Sequence, residues 1–72
     1  MTKLIEEIRK VSNNFDYCFT ENMSNILFLV CSEKQHIIRE IIKDFFKHNE
    51  TFRLTEFKAE DKDDFVFVCT YE

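Results

Sequence analysis

Two short runs constrain this chain more than anything else in it. Ile26-Leu27-Phe28-Leu29-Val30-Cys31 and Phe65-Val66-Phe67-Val68-Cys69 are apolar at every position, whereas a strand with one wet face alternates polar and apolar residues. Both faces of such a strand must be covered or flanked, so the two runs belong in the middle of a sheet. Phe15–Thr20 behaves differently: Phe15, Tyr17 and Phe19 alternate with Asp16, Cys18 and Thr20, the pattern of an edge strand. A second edge strand is read from Phe52, Leu54, Phe57 and Ala59, interleaved with Arg53, Thr55, Glu56 and Lys58. The phase shift between Leu54 and Phe57 predicts a bulge there.

The long segment Ser32 to Asn49 reads as an amphipathic helix. Ser32 and Gln35 have capping-box spacing, and Ile37, Ile38, Ile41, Ile42, Phe45 and Phe46 recur two per turn as a broad apolar stripe. Asn49 is the residue suited to a left-handed helix end. A shorter helix is expected after Thr2 as cap, with Leu4, Ile5, Ile8 and Val11 on its buried side and Asn13-Asn14 ending it. The order is helix, strand, strand, helix, strand, strand. The halves echo one another, LIEEIRK with IIREIIK and LFLVC with FVFVC, although amphipathic helices and apolar strands produce such matches by chance as readily as by duplication.

These elements define an α+β fold, an αββαββ two-layer sandwich in which a four-stranded, mainly antiparallel sheet carries both helices on one face. Residues 1–72 form one domain, the size at which a single core is all that can be built. The element order resembles a circular permutant of the ferredoxin-like sandwich. The resemblance implies the strand order third, fourth, second, first, with the second and fourth strands central and parallel and Cys31 and Cys69 near one another in adjacent strands.

Gly and Pro are both absent. Turns therefore fall to Asn13-Asn14, Asn22 to Asn25, Asn49-Glu50 and Asp61 to Asp64, and every motif that needs glycine against a phosphate or at a sharp nucleophile turn is excluded. Cys18, Cys31 and Cys69 are an odd count without a CxxC pair or signal peptide, which reads as reduced thiols in a cytoplasmic protein. No apolar run reaches the length of a membrane span. His36 and His48 lie twelve positions apart without a fixed Asp, Cys or Ser partner, so neither catalysis nor a metal is expected, and no cofactor is implied.

The formal charge of -4 is unevenly placed. Lys34, Arg39, Lys43 and Lys47 outnumber Glu40 and Asp44 on the long helix, while Glu56, Glu60, Asp61, Asp63 and Asp64 gather in and beside the last hairpin loop. That acidic run has three readings: a solvated tip that keeps an edge strand from pairing, a carboxylate surface for a basic partner, or a cation site, for which the calcium-loop spacing is missing. The basic stripe reads as the wet side of a helix, because the overall negative charge opposes direct nucleic-acid binding. The sheet face away from the helices is a further candidate surface, and a back-to-back homodimer is its simplest use. Which set faces out, Leu27, Leu29 and Cys31 or Ile26, Phe28 and Val30, and likewise Val66 and Val68 or Phe65, Phe67 and Cys69, stays open.

The acidic C-terminal half, small size and Lys-, Ile-, Asn- and Phe-rich composition resemble the small accessory proteins of phages and mobile elements, including anti-CRISPR and other anti-defence inhibitors. That resemblance implies a non-catalytic inhibitor that occupies the basic, nucleic-acid-binding surface of a larger protein; it carries over no residue, and the charge layout of this chain assigns the contact to Glu56, Glu60, Asp61, Asp63 and Asp64. The alternative is a ligand-sensing or regulatory module that dimerises through its sheet.

Overall fold

The two continuously apolar runs become the two central strands of one sheet. The structure, a computed structural model, describes residues 2–20, 24–60 and 62–72. Helix α1 spans Thr2–Arg9, strand β1 Phe15–Thr20, β2 Asn25–Cys31, helix α2 Gln35–Phe45, β3 Arg53–Lys58 and β4 Phe65–Tyr71. The sheet order is β1-β2-β4-β3, with the two alternating segments at the edges as their patterns require.

Every pairing is antiparallel, which corrects the expected parallel central pair. The reason lies in the connections. Helix α2 carries the chain back so that β3 runs in the same direction as β2, and the β3–β4 hairpin then reverses β4, which slots between them. Reversal also separates the two buried thiols. Cys31 is opposite Phe65 and Cys69 is opposite Leu27, so they lie at opposite ends of the pairing, about 13 Å apart along the strands at roughly 3.3 Å per residue.

Cross-strand partners share a face, and burial identifies the covered one. Leu27, Leu29, Cys31, Phe67 and Cys69 meet Leu4 and Ile8 of α1 and Ile38, Ile42 and Phe46 from α2 and its end, with Phe15, Leu54, Phe65 and Tyr71 packed around them. Both helices therefore lie on one side. The stripe of α2 is narrower than its sequence pattern: Ile38, Ile42 and Phe46 reach the core, whereas Ile37 is 48% and Phe45 39% exposed. The internal echo accordingly holds for the strands, where 27, 29 and 31 correspond to 65, 67 and 69, and fails for the helices. Leu4 is buried but its counterpart Ile37 is not.

Three local expectations are overturned. The register of β3 against β4 is unbroken from Arg53↔Thr70 to Lys58↔Phe65, so no bulge separates Leu54 from Phe57; they simply point to opposite faces. Asn49 does not adopt a left-handed conformation, since Lys34 is the one positive-φ residue among those described. Asn49 instead closes the turn into β3 with its side chain, whose Oδ1 accepts from Thr51 N at 2.9 Å and Thr51 Oγ1 at 2.7 Å.

The capping box at Ser32 is not formed either. Helix α2 starts after Lys34, which caps it at φ 60, ψ 25 with no side-chain hydrogen bond. Ser32 donates its N and Oγ to Asn14 O at 3.3 and 3.4 Å. Glu33 Oε1 accepts from Ser12 Oγ at 2.8 Å and Asn14 Nδ2 at 3.2 Å. These bonds tie the link into β1 to the link out of β2, and the left-handed turn at Lys34 follows directly behind them.

A left-handed non-glycine residue carries a penalty of about 1–2 kcal/mol, partly offset here because glycine would lose about 0.5–1 kcal/mol more on folding. Lys34→Gly should thus stabilise the domain by up to about 1 kcal/mol, a rise of roughly 4–8 °C in Tm for a domain of this size. Thermal and urea unfolding check this, with Lys34→Ala as the control that should gain nothing.

Candidate functional site

Among the described residues, nothing covers the sheet face away from the helices. Its side chains form a grid set by the pairing register. One row runs Thr20, Ile26, Thr70, Arg53 across the four strands, the next Cys18, Phe28, Val68, Thr55, and the third Asp16, Val30, Val66, Phe57. The open alternative of the sequence is thereby decided: Ile26, Phe28, Val30, Val66 and Val68 face out. Phe28 is 41% and Phe57 55% exposed, and Val30 and Phe28 line a shallow apolar depression with Asp16, Tyr17 and Cys18. Contiguous apolar surface of this kind makes the face a candidate interaction site.

The acidic candidates divide into two places. Glu56 lies in the middle of β3, paired with Phe67 on the helix-covered face, and forms an ion pair with Arg39 of α2. This hydrogen bond pushes the Arg39 guanidinium pKa up. Arg39 Nη1 also lies 3.2 Å from His36 Nδ1. Arg39 is therefore a bridge between α2 and β3, and not a member of a free basic stripe. Glu60 and Asp63 are exposed in the β3–β4 loop, Asp64 is half-buried, and Asp61 falls outside the described residues. Among the described residues the ion pairs join Lys10 with Glu7, Arg39 with Glu56 and Lys47 with Asp44, leaving Glu60, Asp63 and Asp64 without a cation. The loop closes with Ala59 N donating to Asp64 O at 3.0 Å. Asp64 and Asp16 share the rim of a polar hollow with Asn13, Asn14, Phe15, Val30 and Ser32, so the acidic end of the sheet adjoins the open face.

Helix α2 also borders a groove on the helix layer. Ile37, Ile41 and Phe45 line this groove of ≈ 340 Å³ with Glu7, Glu40 and Asp44 on its edges. Among the described residues no group of His, Cys, Asp and Glu is arranged to hold a metal ion, and no helix is long and apolar enough to cross a membrane. His48 is exposed beside Phe19 and Tyr71.

Sequence reasoning missed Asp16 and Arg53 as members of the open face. The signal was present in the parity of each edge strand, but only the register against β2 and β4 reveals which parity faces out. No family model, no curated protein and no solved structure matches the chain, so the functional reading rests on these surfaces.

The thiols separate cleanly. Cys18 is exposed, while Cys31 and Cys69 are buried. Burial pushes the Cys69 thiol up to about 12, and burial with the nearby Asp64 charge raises Cys31. In dilute native protein a disulfide reagent should modify Cys18 alone, with Cys31 and Cys69 reacting only on unfolding. The folded state holds the Cys69 proton more tightly than the unfolded chain, whose thiol ionises near 9.0. The Cys69 contribution to stability should be complete below that pH and be lost as pH rises towards about 12, and Cys69→Ala should flatten that part of a urea-midpoint profile.

Proposed function

We propose that the protein is a small non-catalytic inhibitor that binds the basic, nucleic-acid-binding surface of a larger protein, in the manner of phage or mobile-element anti-defence proteins. The observation that carries this reading is the end of the sheet where Glu60, Asp63 and Asp64 stand without cation partners among the described residues, with Asp16 beside Asp64. Carboxylates spaced along a loop and strand end offer Lys and Arg side chains what a phosphate backbone offers, namely fixed negative charge and charge-assisted acceptors. Complementary charge also speeds encounter, an advantage for a competitor of nucleic acid. Glu56 takes no part in this surface, because its carboxylate is committed to Arg39. Its role is to hold α2 against β3.

The reading predicts competition. Immobilised protein should retain a nucleic-acid-binding partner that is released both by raised salt and by added DNA or RNA. The double variant Asp63→Lys, Asp64→Lys should bind it roughly tenfold or more weakly, equivalent to at least about 1.4 kcal/mol, with unchanged circular dichroism. Glu56→Gln should leave partner affinity intact and lower Tm. Equal retention by the double variant would remove the acidic-surface mechanism.

A further inference from the structure

We propose that the open sheet face is the dimer interface of the protein, packed against the same face of a second copy about a twofold axis, with Arg53 of each copy meeting Asp16 of the other. The inference rests on the composition and layout of the grid. Of its twelve side chains only two are charged, and they carry opposite signs. Asp16 occupies the corner of β1 in the Val30–Val66 row, and Arg53 the diagonally opposite corner on β3 in the Ile26–Thr70 row. A twofold axis lying in the interface along the other diagonal, from Thr20 to Phe57, exchanges those two corners. Each Arg53 then lies over the other copy's Asp16, twice per dimer, as an isologous contact requires.

The dimensions support the same axis. The outer strands are about 14 Å apart at a spacing of ~4.8 Å, and the outer rows are separated by four residues, again about 14 Å. On a grid this nearly square, a diagonal twofold turns one set of strands by about 90° relative to the other, which is one of the two ways sheets pack face to face. Phe28 and Val68 fall at the centre, Phe57 meets its own counterpart on the axis, and Cys18 passes under the opposing Ile26 and Thr70. The charged pair sits at the rim, where Arg53 keeps donors to spare beyond its bonds from Nη1 to Glu50 O at 3.4 Å and Phe52 O at 2.9 Å. Asp16 forms no ion pair among the described residues.

Area sets the strength. A face about 19 by 20 Å buries roughly 400 Å² of footprint on each copy, about 800 Å² in all, below the roughly 1,200 Å² at which stable specific interfaces begin and in the range of weak, transient ones. The dimer is accordingly concentration-dependent, with a dissociation constant on the order of micromolar or weaker. The carboxylates of Glu60 and Asp63 lie outside the grid, so dimerisation leaves two acidic ends free.

Sedimentation equilibrium of the full chain from about 1 μM to 1 mM, a range spanning about 4 kcal/mol of association free energy, tests this. The expected result is a monomer–dimer transition. Asp16→Arg and Arg53→Asp should each raise the dissociation constant about tenfold or more, and the double swap should restore it to within about threefold of wild type. Phe28→Asp should remain monomeric, with the dilute monomer's circular dichroism and Tm showing that each variant folds. Modification of Cys18 should slow as protein concentration rises. A monomer throughout the range, a dimer indifferent to Phe28→Asp, or a double swap no better than the singles would each overturn the proposal. Asp16 also borders the acidic end, but the readout is self-association of this chain alone, and Arg53→Asp and Phe28→Asp change no acidic-end carboxylate, so the result is distinguishable from the inhibitory reading.

Discussion

The antiparallel pairing of β2 with β4 governs everything else in this molecule. Its register runs without interruption from Asn25↔Tyr71 to Cys31↔Phe65, and a slip of one residue would exchange the two faces of a strand. With this register, Leu27, Leu29, Phe67 and Cys69 project together into the helices and are fully buried. Each large apolar side chain so buried contributes about 1.5–3 kcal/mol relative to exposure. A chain of this length has a net stability of only roughly 4–11 kcal/mol, so truncating Leu29 or Phe67 to Ala, at about 2–5 kcal/mol, would consume much of it. The helices do not create this sheet; they cover the half of it that the central pairing directs towards them.

Much of that arrangement was legible in the chain, for identifiable reasons. Strands apolar on both sides, Ile26–Cys31 and Phe65–Cys69, differ from the alternating Phe15–Thr20 in a way that reports position in a sheet, and β2 and β4 are the central strands of the order β1-β2-β4-β3 that the ferredoxin-like resemblance implies. Direction and facing were not legible. An apolar run reads the same whether its neighbour is parallel or antiparallel, and Phe28 is as hydrophobic as Leu29. Only the edge partners break the tie, since Asp16 opposite Val30 and Cys18 opposite Phe28 belong to the wet side. The apparent bulge at Phe57 has the same origin: a residue on the open face was read as belonging to the core.

Other misreadings arose where a side chain found a better partner than its local pattern implied. Ser32 and Gln35 have capping-box spacing, yet Ser32 is held by Asn14 and the next residue, Glu33, by Ser12 and Asn14. Those contacts join segments far apart in sequence, and they leave Lys34 in the left-handed turn that a glycine would otherwise take. Arg39 and Glu56 repeat the lesson at the candidate site. Counting charges along the chain assigned one to a basic helix face and the other to an acidic loop, whereas the sheet brings them together as an ion pair. Among the described residues the acidic end is therefore carried by Glu60, Asp63 and Asp64, with Glu56 engaged by Arg39.

A two-layer sandwich built on doubly apolar central strands cannot satisfy both of its faces. The same composition that lets 72 residues make a core, nine Phe among them, leaves Phe28, Val30, Val66 and Val68 on the side without helices. Polar substitutions at those positions would improve solvation while weakening the apolar cross-strand pairs that support the central pairing. The chain instead keeps the centre of the face apolar and confines charge to two corners of opposite sign. That layout disfavours indiscriminate stacking, because in most orientations a buried corner charge would be left unpaired and costly. In the dimer proposed above, the apolar centre would supply adhesion and the two corner charges orientation, because only one arrangement of two such faces pairs both charges.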